Sequence, residues 1–155
     1  MIPFGPPCPS HPEPLFMADC ADTSEFPKNV MPAIRRVMQP QDTNALGSIF
    51  GGVILSEIDL AAAITAHRLH PDRIVTVAMD KVEFKEPVFV GDLVSLFGTV
   101  TRVGRTSITV AIAVWAERRL SGYDCCLVTQ ASVTMVAVDE NFKPIPVSHP
   151  QALDH

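Results

Sequence analysis

No stretch of this 155-residue chain reaches the roughly 18 consecutive apolar residues that a membrane-crossing helix requires. Its first residues also lack the basic start and apolar run of a secretory leader. Both absences predict a soluble, cytoplasmic protein. Basic charge is not in excess: twelve Lys and Arg stand against seventeen Asp and Glu, for a formal net charge of −5. That balance argues against a general nucleic-acid binder and leaves a small anionic ligand open, since a few local cations suffice to hold one. The four cysteines, Cys8, Cys20, Cys125 and Cys126, show neither framework spacing nor a C-x-x-C pair, so reduced thiols are expected. A P-loop, a G-x-G-x-x-G turn and a G-x-S-x-G elbow are all missing.

What is present has a definite order. Prolines crowd the start (Pro3, Pro6, Pro7, Pro9, Pro12 and Pro14), so residues 1–32 read as an irregular arm that drapes over the domain or over a second copy, or stays disordered. Residues 33–147 read as one domain and 148–155 as a tail. Ile34 to Met38 predicts a first strand, and Gln39 to Asn44 is turn chemistry. From Phe50 to His67 the residues Ile54, Ile58, Ala61, Ala62 and Thr65 recur at helical spacing, predicting a helix about 27 Å long. Four strand-like runs follow: Ile74 to Phe84, Leu93 to Val103, Ile108 to Val114 and Tyr123 to Val138. The first switches parity near Asp80-Lys81, which predicts a bulge. Sequential strands favour an antiparallel meander, and one apolar helix needs a sheet to cover it. The fold class expected is therefore α+β, with an antiparallel sheet wrapped around one long helix.

Several residues carry candidate chemistry. Asp59 sits mid-helix among Leu55, Ser56, Ala62 and Ala63, whose small members leave room for a ligand or another chain. The competing reading makes it a solvated residue on a polar stripe, and Glu57 is expected to be one. Gly51 and Gly52 open the helix, where unpartnered N–H groups suit an anion or a developing oxyanion; tight helix packing explains them equally. Lys85, Arg102, Arg105, Arg118 and Arg119 fall at strand ends or turns, where most such residues are only solvated charges. Arg105, followed by Thr106 and Ser107 and preceded by Gly104, is the best phosphate contact. His67, His70 and Asp72 bracket a helix end and make a poor metal set, so no metal is expected. Cys125, Cys126 and Trp115 read as packing residues on strands.

The stretch PQDTNALGSIFGGVILSEIDLAAAI, Pro40 to Ile64, resembles the signature of hotdog-fold acyl-CoA thioesterases, in particular the YciA-like broad-specificity branch. The similarity continues through VTVAMDKVEFKEPVFVGDLV, VGRTSITVAIAVW and VTMVAVDENFKP. It covers about Ala33 to Val147. The resemblance implies a hotdog domain, subunits paired so that active sites lie at their interface, assembly as a trimer of dimers, and an acyl-CoA substrate with no cofactor. It implies a catalytic role for the mid-helix acid, here Asp59, with Gly51 and Gly52 polarising the thioester carbonyl. Between Gly47 and Ile49 such proteins commonly carry Asn or Asp where this chain has Ser48, which can hydrogen-bond a carbonyl or water but cannot replace a carboxylate. Asn44, Lys85, Arg102, Arg105, Thr106 and Ser107 are the expected substrate contacts. Two rivals stand beside hydrolysis: a hotdog enoyl-CoA hydratase or dehydratase, which would pair a histidine with the carboxylate, and a non-catalytic acyl-CoA-binding module.

Overall fold

The computed structural model describes residues 25–120 and 124–148; the cysteines and prolines of the expected arm before residue 25, Tyr123, and the tail beyond 148 lie outside them. Apolar periodicity sets the two element types. Strand β1 (Ile34–Val37) leads through a 3-10 turn at Pro40–Asp42 to helix α1 (Gly51–His67), followed by β2 (Ile74–Phe84), β3 (Leu93–Val103), β4 (Ser107–Glu117) and β5 (Cys125–Ala137). Helix α1 buries Ile54, Ile58, Ala61, Ala62, Thr65 and Ala66 at helical spacing and packs against all four long strands. Every second residue of β4, from Ile108 through Val110, Ile112 and Val114 to Ala116, is buried on the helix-facing side. Ala131, Val133 and Met135 of β5 join the same core. Gly98 of β3 permits the close approach: a Cβ there would lie 2.0 Å from Thr65 Oγ1.

The expected bulge is where parity broke. The β2–β5 register slips between Asp80 and Glu83, and Lys81 has φ of 50°. The expected four-strand meander is corrected. The sheet order is β1-β3-β4-β5-β2, antiparallel throughout, so only β3, β4 and β5 form a meander while β2 lies at the far edge beside β5. The physical reason is the connection: residues 85–92 contain Pro87 and are too long for a tight hairpin, so they cross the end of the sheet instead. That crossing is fastened. Ile49 N–H donates to Val88 O (2.7 Å), Arg118 donates to Pro87 O (2.6 Å) and pairs with Asp92, and its guanidinium lies 5.1 Å from the Phe89 ring centre.

Two further expectations change. Glu57 is buried rather than solvated, because Arg36 of β1 reaches it and also donates to both Asp42 carboxylate oxygens at 2.8 Å. Cys125 is disulfide-bonded rather than reduced, a pairing that no C-x-x-C or framework spacing in the sequence signals. Trp115 is structural as expected. Phe26 stacks edge-on against both Trp115 and Phe97, so the chain just before β1 covers the sheet's outer face.

Candidate active site

Asp59 emerges from the middle of α1, half-buried, toward strand β2. Thr76 Oγ1, exposed on that edge strand, donates to Asp59 Oδ1 at 2.5 Å. The bond orients one carboxylate oxygen. Among the described residues no cation pairs with this carboxylate. Among the described residues the acid thus stays without a cation beside β2, the last strand of the sheet order. Around the helix axis Asp59 shares its flank with Gly52 and Ala63, as the spacing requires.

A second feature lies at the helix start. Phe50 caps α1 without any side-chain bond, which leaves the amides of Gly51 and Gly52 pointing out of the N-terminus with the positive end of the helix dipole. Gly51 borders a cleft of about 280 Å³. Its walls are apolar, from Ile49, Ile54, Phe84, Pro87 and Val88, with Lys85 and Glu86 also lining it. Thr129 of β5 completes the lining. The two glycines are not equivalent: a Cβ on Gly52 would collide with the Phe50 ring at 2.3 Å, whereas one on Gly51 would only touch Phe84 at 3.5 Å. A side chain at position 52 would have to displace the exposed Phe50 ring, whereas Gly51 lies in ordinary contact with Phe84 at the cleft.

Ser48 and Asn44 form one unit. Asn44 Oδ1 accepts the N–H groups of Leu46 (2.8 Å) and Ser48 (3.3 Å), and its Nδ2 donates to Ser48 Oγ (2.9 Å). Both ends of the Asn44 amide are occupied, so it holds the turn, while the Ser48 hydroxyl proton stays available.

Comparison with known proteins gives this geometry a family. A model described as the thioesterase superfamily matches residues 46–123. An acyl-CoA thioester hydrolase of Haemophilus influenzae is 41% identical over 126 residues, covering 78% of this chain and 81% of that protein. The chain belongs to the thioesterase superfamily. A hexameric hotdog-fold thioesterase of Campylobacter jejuni superposes with a TM-score of 0.73 at 50% identity, covering 77% of this chain and 91% of that one. A hexameric broad-specificity acyl-coenzyme A thioesterase superposes at 0.75 with 36% identity, covering 84% and 89%. The helix wrapped by an antiparallel sheet is the hotdog fold.

The remaining candidates of this thioesterase fall into separate places. Arg105, Thr106 and Ser107 form the β3–β4 turn, with Arg105 exposed and Ser107 Oγ folded over Gly104. Ser107 pairs with Val136, next in β5 to the Met135 that opposes Thr76, so this turn lies at the Asp59 end of the sheet. Arg102 is exposed on β3 just before the turn. Lys85 lies at the opposite end, lining the cleft and pairing with Glu83 at 3.1 Å. His67 and His70 stay at the C-terminal end of α1; His70 is buried with Nδ1 accepting from Ser148 N–H at 3.1 Å. Among the described residues no group of His, Cys, Asp or Glu is placed to hold a metal. Cys126 is a free thiol whose pKa is pushed up by burial.

Sequence reasoning missed Thr76 and Thr129. Each reads as an ordinary β-branched strand residue, and only the packing of strand against helix reveals what faces it.

Proposed function

We propose that this thioesterase hydrolyses acyl-CoA esters to free acid and coenzyme A, with Asp59 acting on the acyl carbonyl carbon. The observation that carries the reading is the Asp59 carboxylate, without a cation among the described residues, oriented by Thr76 and half-open at the edge of β2. Such a group either takes a proton from water or attacks the carbonyl itself. The Gly51 and Gly52 amides polarise the carbonyl oxygen, an interaction worth roughly 3–4 kcal/mol in the transition state for an oxyanion donor. The leaving thiolate needs little acid assistance, since an alkyl thiol has a pKa near 8.5 by analogy with cysteine. A hydratase would need a histidine beside the carboxylate, and His67 and His70 are held at the end of the helix.

One chain does not complete this site. Asp59 follows Gly51 by eight residues, about 12 Å along the helix. One carbonyl has to sit within about 3 Å of the donors and 3–3.5 Å of the attacking atom. A second copy that brings its helix start to Asp59 satisfies both. The surface fits that role: β2 is a long edge strand that exposes Val77 and Phe84, and Leu60 and Ile64 are exposed on α1. The assembly proposed is a dimer through this side, three of which make a hexamer.

Thiol release from a panel of acyl-CoA esters, short to long and aryl, tests the activity; no release from any member rejects it. Val77→Lys puts a charge on the unpaired edge and is expected to raise the dimer dissociation constant about a hundredfold. Light scattering of the variant checks this, and an unchanged particle mass removes β2 from the interface. The Arg105 turn, with Arg102, Thr106 and Ser107, holds CoA phosphates in this reading. Arg105→Ala is expected to raise KM for acyl-CoA about tenfold while leaving a short thioester lacking the nucleotide unaffected. Equal changes on both substrates would take Arg105 out of phosphate binding.

A further inference from the structure

Phe84 is the last residue of β2, and it is 54% exposed. Its ring nevertheless turns toward the start of the helix. Cζ and Cε1 lie 3.5 and 3.6 Å from the point that a Cβ on Gly51 would occupy. The Gly51 nitrogen is two bonds from that point, so ring and amide border one space. That space is the cleft of about 280 Å³, which both residues line.

The inner walls of the cleft are fixed. Ile49, Ile54 and Val88 are at most 6% exposed, and Ile49 N–H donates to Val88 O at 2.7 Å. The backbone just after the ring is held as well, since Lys85 N–H donates to Val128 O at 2.8 Å. The exposed Phe84 ring stands at the rim, so its bulk can change without opening a hole in the core.

A cleft of this size lies just below the range that drug-sized ligands fill, so it takes an acyl group and not a whole CoA ester. Place the thioester carbonyl oxygen about 3 Å from the Gly51 amide. The next acyl carbon is then one bond, about 1.5 Å, from the carbonyl carbon, on the stretch of cleft that the ring borders. A methylene at that carbon packs against the ring. A branch there competes with the ring for the same volume, and close-packed surroundings register a change of even one methylene.

We infer that Phe84 is a specificity-determining residue whose ring selects acyl groups unbranched next to the carbonyl over isomers branched at that carbon. This rests on the thioesterase reading above, with the carbonyl at Gly51. Isomers carry the same atoms, so a preference between them reports shape and not hydrophobicity.

The test measures kcat/KM of the full chain by thiol release for two isomeric pairs: butyryl-CoA against isobutyryl-CoA, and valeryl-CoA against 2-methylbutyryl-CoA. Wild type is expected to prefer the straight isomer about tenfold in each pair. Phe84→Ala is expected to bring both pairs close to parity, and Phe84→Tyr, which keeps the ring, to retain the wild-type preference. Phe84 also lies on the face proposed for pairing, so light scattering accompanies each variant. Phe84→Leu keeps an apolar side chain on that face and loses the flat ring. It is expected to lower the preference about threefold with particle mass unchanged, and it decides the matter where Phe84→Ala alters the mass. A preference within twofold of wild type in both Phe84→Ala and Phe84→Leu overturns the assignment. So does wild type that hydrolyses both isomers equally, or a Phe84→Tyr variant as relaxed as Phe84→Ala. Loss of particle mass in both Phe84→Ala and Phe84→Leu overturns it too, by placing the ring in subunit contact. These outcomes leave hydrolysis itself standing. Release from none of the four esters, and from no other acyl-CoA, rejects the thioesterase reading instead.

Discussion

Replacing Asp59 by asparagine is expected to lower kcat for acyl-CoA hydrolysis about a thousandfold while leaving coenzyme A affinity, particle mass and Tm unchanged. The expectation follows from what the substitution keeps. The asparagine side chain has the shape of the aspartate, and its carbonyl oxygen accepts the Thr76 hydroxyl as Asp59 Oδ1 does at 2.5 Å. What it loses is the negative charge and with it both modes of action, proton acceptance and direct attack, a contribution typically worth about 10²–10⁴ in rate. No ion pair is broken, because none reaches Asp59 among the described residues, so folding has no reason to suffer. Steady-state thiol release, titration of coenzyme A, light scattering and a thermal melt measure these quantities. Turnover within a few-fold of wild type would show that the carboxylate is not the reacting group.

The amino-acid pattern carried the parts of this site that depend on local periodicity. The helix was legible because Ile54, Ile58, Ala61, Ala62 and Thr65 keep a 3.6-residue period, and all five are buried as that period demands. Asp59 stood out because its flank is built of small residues. The bulge at Lys81 was legible because it inverts parity. Features that depend on which distant elements meet were not. Glu57 reads as a surface acid until Arg36, twenty-one residues earlier, is seen to reach it from β1. Thr76 and Thr129 look alike in sequence, yet one bonds the carboxylate at an exposed edge and the other is fully buried in the core. The position of β2 at the far edge follows from a connection whose path depends on Arg118, a residue of the later β4–β5 connection.

Arg36→Met is expected to destabilise the fold by about 2–4 kcal/mol. Arg36 joins three elements: it belongs to β1, binds both oxygens of Asp42 in the 3-10 turn, and pairs with Glu57 on α1. The two carboxylates are nearly buried, at 9% and 12% side-chain exposure, so removing their shared cation leaves two uncompensated charges. The guanidinium itself is one-third exposed, which screens the pair and holds the figure below the roughly 3–5 kcal/mol of a fully buried break. For a chain of this length the loss corresponds to a fall in Tm of roughly 5–15 °C. The pH dependence has a definite sign. The Glu57 bond, opposed by burial and reinforced by Asp42, raises the Arg36 pKa above its ordinary value. A raised pKa gives stability that is complete below the unfolded value and lost only above the folded one, so the wild-type contribution is constant through neutral pH. The consequence reaches the helix start as well. Asp42 O accepts the Phe50 N–H at 2.8 Å, and Phe50 caps α1 just before the Gly51 and Gly52 amides. Loosening Asp42 should therefore lower kcat more than it raises KM, since the displaced amides act on the carbonyl as charge develops there. Thermal melts at several pH values together with steady-state kinetics decide the matter. A variant with wild-type Tm would show that the triad contributes nothing to the fold, and an unchanged kcat in a destabilised variant would detach it from the site.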